Sequence, residues 1–217
     1  MKNEIKLSPS TLNIYQYCPR CFWLQVKHKI DRPRGIFPSL PGGIDTLLKR
    51  YFEPYRDKES LPPLVTGKLP GKLMKNFPKE LRYFDEKVGV TLRGRLDECI
   101  EFEDGSFAPV DHKTRGNRPE KVYPFYESQM DVYTLLLEEN GFKTKRKAYL
   151  IYYFPVDIKD NGAFQFEIEV KELNTDPERA RRIFHESVEL LQSNVMPSHS
   201  KECEYCQWEE RLNRFKP

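Results

Sequence analysis

The stretch from Gly94 to Lys113 constrains this chain more than any other. Leu96 to Phe102 and Phe107 to Val110 are short strand-like runs, and the turn dipeptide Asp104-Gly105 between them predicts a β-hairpin. Val88 to Leu92 reads as a further strand just before it. The hairpin carries two aspartates and a lysine, Asp97, Asp111 and Lys113. Whether they share a face depends on register, because successive strand residues point to opposite faces and a one-residue slip reverses the assignment. A two-residue loop at Asp104-Gly105 sets Asp97 opposite His112 and turns Asp111 away. A three-residue loop, Asp104-Gly105-Ser106, sets Asp97 opposite Lys113 and keeps Asp111 on the same face. The expectation is therefore an odd-length loop or a bulge.

At 217 residues the chain is long enough for one sizeable core, and the reading is a single α/β domain spanning 1–217. Lys plus Arg (36) nearly balance Asp plus Glu (33), so the formal charge of +3 does not by itself establish a polyanionic partner. Local clusters are Lys27-His28-Lys29 with Arg32 and Arg34, Lys143 to Lys147, and Arg179-Arg181-Arg182; such runs are usually solvated faces. No signal peptide and no membrane-length apolar run is visible, and the expected location is the cytoplasm. Five cysteines, four of them in two C-x-x-C pairs, suit a reducing compartment where such pairs bind metal or do redox work.

Ser8-Pro9 reads as a cap followed by a first-turn proline, with the first cysteine pair, Cys18-Pro19-Arg20-Cys21, at the end of the helix it opens. Arg32 to Gly43 reads as an irregular, proline-rich connection. A second helix is expected from Gly43 or Ile44 to about Tyr55, with Leu47, Leu48, Tyr51 and Phe52 on its apolar face and Asp45 in its first turn. A long helix follows the hairpin and stops at Asn140-Gly141, with Tyr126, Gln129, Tyr133 and Leu137 at helical spacing. Ala148 to Phe154 and Phe164 to Val170 read as strands around an Asn161-Gly162 turn, and Asp176-Pro177 opens a last long helix to about Gln192. This order suggests an α/β sandwich with a mixed sheet.

Hydrolysis of a phosphodiester needs neutralised phosphoryl oxygens and an activated water. Mg²⁺ or Mn²⁺ on one or two carboxylates supplies both, and a neighbouring lysine stabilises charge or helps deprotonate the water. Asp97, Asp111, the backbone carbonyl of His112 and Lys113 are the groups for those roles. The His112 ring points away from Asp111 and is read as structural. The two C-x-x-C pairs, separated by nearly the whole chain, can meet as one Cys₄ site, for which zinc and a [4Fe–4S] cluster are both suitable. Cys99 reads as a small buried strand residue.

Gly94-Arg95-Leu96-Asp97, Val110-Asp111-His112-Lys113-Thr114 and Gln129-x-x-x-Tyr133 look like the successive motifs of the PD-(D/E)XK nuclease superfamily in its RecB-like branch. The Cys-Pro-Arg element near the start and the cysteines near the end further resemble the CRISPR-associated RecB-like nucleases and the AddB-type iron–sulfur nuclease domains. The resemblance implies a restriction-endonuclease-like core with a mixed central sheet flanked by helices. It implies Asp97 and Asp111 as metal ligands, Lys113 as the catalytic lysine, and Gln129 with Tyr133 as residues that orient the site or touch DNA. Where relatives carry a metal-binding histidine before the hairpin, the nearest candidate here is Asp45.

By the same resemblance, Cys18, Cys21, Cys203 and Cys206 hold a [4Fe–4S] cluster, with Zn²⁺ the alternative, in a subdomain of residues 1–30 and 195–217. Relatives usually contribute one cysteine from the N-terminal side and three from the C-terminal side, whereas this chain offers two and two. Phe22, Trp23 and Trp208 flank the pairs and are candidates to shield the centre. The implied activity is metal-dependent, exonuclease-like cleavage of DNA single strands or ends, with protein partners in a repair or CRISPR pathway and no membrane. The rival readings are a non-catalytic nucleic-acid-binding protein with a structural Cys₄ site, and a cysteine-based redox or metal sensor.

Overall fold

Local signals set most element boundaries in the computed structural model, which describes residues 5–33, 35, 39–76 and 78–215. Ser8 caps α1 (Pro9–Tyr17): its hydroxyl accepts from the Thr11 N–H while its own N–H donates to Thr11 Oγ1, a reciprocal cap worth about 1 kcal/mol. Cys18 closes α1 and opens α2 (Pro19–His28), and Lys29 ends α2 in the left-handed region with φ 60°. Helix α3 (Ser39–Asp57) starts earlier than the sequence suggests, inside the stretch read as irregular. Pro41 falls in its first turn, where a missing N–H costs nothing. Asp45 therefore sits in the second turn. The inward stripe of α3 is Leu48, Phe52 and Tyr55, whereas Leu47 and Tyr51, expected on the apolar face, are exposed. Arg34 lies outside the described residues.

The strands are β1 (Lys6–Leu7), β2 (Lys72–Leu73), β3 (Leu81–Asp85), β4 (Val90–Gly94), β5 (Glu98–Glu101), β6 (Phe107–Thr114), β7 (Lys147–Ile158) and β8 (Phe164–Asn174). Helix α4 (Pro124–Glu139) joins β6 to β7, and α5 (Pro177–Gln192) and α6 (Glu204–Asn213) follow the strands. Five strands form a mixed sheet in the order β2-β5-β6-β7-β8, with β6 and β7 parallel. The expected mixed sheet is present, but the strand before the hairpin is not part of it. That strand, β4, pairs with β1 and β3 in a separate three-stranded sheet.

Strand β7 shows why the larger sheet is fixed in place. Ala148, Leu150, Tyr152 and Phe154 pack in one core with Met130 and Leu136 of α4 and Phe184 and Val188 of α5. Tyr149, Ile151 and Tyr153 alternate into a second core with Phe52 of α3. A strand buried on both faces reads as a continuous apolar run, and each large apolar side chain buried contributes roughly 1.5–3 kcal/mol. The edge strand β8 is by contrast largely exposed and carries Glu167, Glu169, Lys171 and Glu172, charges that discourage edge-to-edge pairing.

The hairpin loop has three residues, Glu103-Asp104-Gly105, one position earlier than anticipated. Glu98 pairs with Val110 and Glu101 with Phe107, and the Phe102 N–H donates to Ser106 O at 2.8 Å. Gly105 supplies the positive φ of 70°, and Asp104 accepts from the Ser106 N–H and hydroxyl, which fixes the turn. Continuing this register one step places Asp97 opposite Asp111 rather than Lys113. All three residues still fall on one face. Two of the three basic clusters are largely consumed by acids: Lys145 pairs with Asp104, Arg146 with Glu138 and Glu178, Arg179 with Asp131, and Arg181 with Glu139.

Candidate functional site

The chain passes from one sheet to the other between Gly94 and Glu98, and this passage delivers Asp97. A Cβ on Gly94 would meet Leu136 Cδ1 at 2.6 Å and the Tyr133 ring at 3.1 Å, so glycine is what lets α4 lie directly against the end of β4. Leu96 is buried and anchors the crossing, and Asp97 follows it.

Asp97 Oδ2 accepts from the His112 N–H at 3.2 Å, and Oδ1 lies 3.3 Å from Lys49 Nζ. Lys49 also reaches Asp45 Oδ2 at 2.8 Å. Asp111, only 2 % exposed, accepts from Gln129 Nε2 at 3.0 Å through Oδ1 and is ion-paired with Lys113 through Oδ2. Lys113 donates to Gln129 Oε1 at 3.1 Å and lies 4.4 Å from the centre of the Tyr126 ring. Gln129 Nε2 also donates to the Tyr133 hydroxyl at 3.0 Å, and that hydroxyl donates to the Arg95 carbonyl at 2.9 Å. One amide thus bridges the aspartate and the lysine while being pinned to the backbone beside Gly94.

Burial pushes Asp111 up to about 7; Lys113 opposes that shift and the nearby Asp97 carboxylate adds to it. Apart from the ion pair with Lys113, Asp111 Oδ2 is buried without a hydrogen-bond partner. Two adjoining carboxylates, one of them buried and met at Oδ2 by the Lys113 ammonium alone, are a donor set suited to a hard, oxygen-seeking cation such as Mg²⁺ or Mn²⁺. The structure links Asp45 to this pair through the Lys49 ammonium. Among the described residues the only set of three or more candidate ligands with atoms within 4.8 Å of one another is the four cysteines, so Asp45 is near the aspartates without being gathered as a third ligand. The His112 ring packs on Phe52 with centroids 4.7 Å apart, and its Nδ1 is 2.9 Å from the Tyr153 hydroxyl. Burial holds it down to about 4, as a neutral structural ring.

Beside Gln129 and Tyr133 lies a cavity of about 410 Å³ lined by Ser8, Ser10, Asn13, Arg93 and Arg95, with Glu80 at its wall. Glu80 is met by Arg82 at 2.6 Å, Arg95 at 3.1 Å and Arg93 at 3.8 Å, so three guanidiniums surround one carboxylate and the wall keeps a positive excess.

The four paired cysteines meet. Sulfur separations are 3.9 Å for Cys18–Cys206, 3.6 Å for Cys21–Cys203 and 3.7 Å for Cys21–Cys206, and all four are free thiols in the interior. A tetrahedron of sulfurs around one ion with Zn–S bonds of about 2.3 Å has edges of about 3.8 Å, so these separations fit a single four-coordinate ion. A [4Fe–4S] cluster offers each thiolate a different iron and needs the sulfurs further apart. Burial raises the Cys18 thiol, but N–H donors from Cys21 and Ser200 outweigh it and bring it down to about 7, whereas burial drives Cys21 up to about 11. Of the expected shielding aromatics, Phe22 belongs to the main core and Trp208 is 60 % exposed; Ile14 is the apolar side chain packed on the sulfurs. Cys99 is buried on β5, and burial pushes its thiol far upward. Lys49 has one local signal in the sequence, its position four residues after Asp45, which is the ion-pair spacing of a helix.

The mixed α/β fold and the acidic hairpin with its lysine and glutamine are the parts a nuclease would need. Residues 56–211 match the PD-(D/E)XK nuclease superfamily, and the chain belongs to that superfamily. Membership suggests hydrolysis of phosphodiester bonds in nucleic acid. The protein described as "Crystal structure of SSO0001" is similar in fold, with a TM-score of 0.50 and 18 % identity over 97 % of this chain and 86 % of that one. No curated protein matches the sequence. Among the described residues no helix is long and apolar enough to cross a membrane.

Proposed function

We propose that the protein is a divalent-metal-dependent deoxyribonuclease of the RecB-like branch, exonuclease-like on single strands or DNA ends, built as one domain with its terminal segments joined around the cysteines. The observation that supports this reading most is the Gln129 bridge, which holds Asp111 and Lys113 side by side while Gln129 itself lines a basic cavity. Asp97, Asp111 and the His112 carbonyl would hold Mg²⁺ or Mn²⁺, which when bound neutralises phosphoryl charge and lowers the pKa of water. Asp45 becomes available as a further ligand when Lys49 moves off it. Lys113 orients or deprotonates the attacking water, Gln129 sets the distance between Lys113 and Asp111, and Tyr133 keeps Gln129 in place. Arg93 and Arg95 take the phosphodiester backbone beside the cleaved bond.

The four-cysteine centre holds a metal with a structural role. The resemblance favours [4Fe–4S] and the sulfur spacing favours Zn²⁺; iron and zinc analysis of anaerobically purified protein separates them. For the nuclease reading, Asp111→Ala and Lys113→Ala are each expected to abolish Mn²⁺-dependent cleavage of end-labelled DNA while leaving the circular dichroism spectrum and binding of the same DNA in chelator intact. Full cleavage by either variant removes the assignment. Salt-sensitive binding without cleavage under any divalent metal leaves a non-catalytic binding protein.

A further inference from the structure

The side chain of Arg32 is placed in a way that the nuclease reading does not use. It follows α2, and its guanidinium carbon lies 5.1 Å from the ring centre of Tyr17 and 5.0 Å from that of Tyr205. Each tyrosine immediately precedes a cysteine of the centre, Cys18 in one case and Cys206 in the other. The Tyr17 hydroxyl also donates to the Glu202 carbonyl at 2.8 Å, so the two rings that enclose the guanidinium belong to segments already tied to each other. Within this enclosure, Nε and Nη2 of Arg32 are buried with no oxygen or nitrogen partner, and the Cys21 thiol is the side chain within hydrogen-bonding reach of the guanidinium. A guanidinium has five N–H donors and no acceptor, and buried charged donors are rarely left unpaired. The groups at hand are the sulfurs, Cys21 first among them, with Cys203 and Cys18 beyond it.

Four thiolates around one Zn²⁺, or around an oxidised [4Fe–4S]²⁺ core, sum to a charge of about −2. A buried dianion needs compensation, and hydrogen bonds to the sulfurs together with net charge are what tune such centres. Both needs are met by a cation whose N–H donors face the sulfurs and whose guanidinium carbon lies 5.1 Å and 5.0 Å from the centres of two tyrosine rings. We propose that Arg32 donates its Nε and Nη2 hydrogens to the sulfurs of the four-cysteine centre and offsets part of its negative charge, positioning and tuning the metal site without ligating it. This rests on the reading that the cysteines hold a metal. Because both candidate centres carry the same charge, it does not depend on which one is present.

The test compares wild type with Arg32→Gln, which keeps N–H donors and loses the charge, Arg32→Lys, which keeps the charge and loses the planar fork, and Arg32→Ala. Iron and zinc are first quantified in wild-type protein, as purified and after anaerobic reconstitution. Absence of both after reconstitution overturns the metal reading itself. With metal bound, Arg32→Gln and Arg32→Ala are expected to release it to excess chelator at least tenfold faster than wild type, with Arg32→Lys recovering part of the difference.

If the metal is iron, loss of the cation also lowers the midpoint potential; a tenfold shift in the equilibrium corresponds to about 59 mV for one electron. A packing role for Arg32 predicts equal destabilisation of metal-loaded and metal-free protein. The proposal instead predicts that the variants lose stability chiefly in the loaded form. Release within twofold of wild type for both Arg32→Gln and Arg32→Ala, or equal destabilisation of loaded and metal-free forms, overturns it. Should Arg32→Ala fail to fold, the Gln and Lys variants carry the comparison.

Discussion

Replacing Gly94 by alanine tests whether the fold and the site are coupled where α4 crosses β4. Ordinary contact begins at 3.4 Å, so the 2.6 Å approach of a new Cβ to Leu136 Cδ1 requires a displacement of about 0.8 Å. Leu136 is fully buried and cannot swing into solvent, while Tyr133, at 3.1 Å, is held by its bonds to Gln129 and Arg95. Overpacking of this kind costs about 1–3 kcal/mol. For a chain of this size, each kcal/mol lowers Tm by about 2–4 °C.

The assay is urea denaturation of Gly94→Ala, Leu136→Ala and the double variant. Leu136→Ala alone is expected to cost about 2–5 kcal/mol through the cavity it leaves. In the double variant the new methyl occupies part of that cavity, so the pair costs less than the sum by about 1–2 kcal/mol. Cleavage should fall with Gly94→Ala and recover in part in the double variant, because moving Tyr133 moves Gln129; misplacement by 1 Å can cost about 100-fold. Strict additivity, within about 0.5 kcal/mol, would refute the steric reasoning.

Two further outcomes follow from the charges. Burial raises Asp111 to about 7, above the unfolded value of about 3.9, so the folded chain binds that proton more tightly and loses stability as pH rises between those values. In chelator, Asp111→Asn should therefore be more stable than wild type at pH 8, with the gap closing toward pH 4; equal denaturation midpoints at pH 8 would count against a strained carboxylate. Arg56 bonds the fully buried Glu98 through Nε at 2.9 Å and Nη2 at 2.5 Å. Arg56→Ala should cost about 3–5 kcal/mol by stranding the carboxylate. Burial already raises the pKa of Glu98 against the pull of Arg56, so the loss should be smaller at pH 5 than at pH 8 in the same denaturation assay.

The features legible in the sequence are those encoded locally. The Ser8 and Asp176 caps, the Asn140-Gly141 stop and the odd-length hairpin loop all depend on residues within a few positions of one another. The loop's exact position was not legible, because Asp104 can stand within the loop or begin it, and the choice is settled by its bonds to Ser106. Tertiary partners left weaker traces. Strand β1 has two residues and exists only by pairing with β4, and α6 is a charged tail given a face by the cysteines. In the candidate site, Asp97, Asp111, Lys113, Gln129 and Tyr133 were readable as an ordered set of motifs. Lys49 was hidden among 36 basic residues and Arg32 was legible only as a member of a basic cluster, since what distinguishes them is the company they keep in space.

The meeting of Cys21 with Cys203 across 182 positions has a bearing on how the molecule is made. During synthesis the first pair of thiols emerges early, and a two-thiol half-site is all the nascent chain offers until nearly the whole sheet has left the ribosome. On the proposed reading of the cysteines as a metal site, loading of the centre is a late step of maturation, and a shortage of the metal leaves chains whose sheet is complete but whose cysteine-bearing segments have not been fastened together.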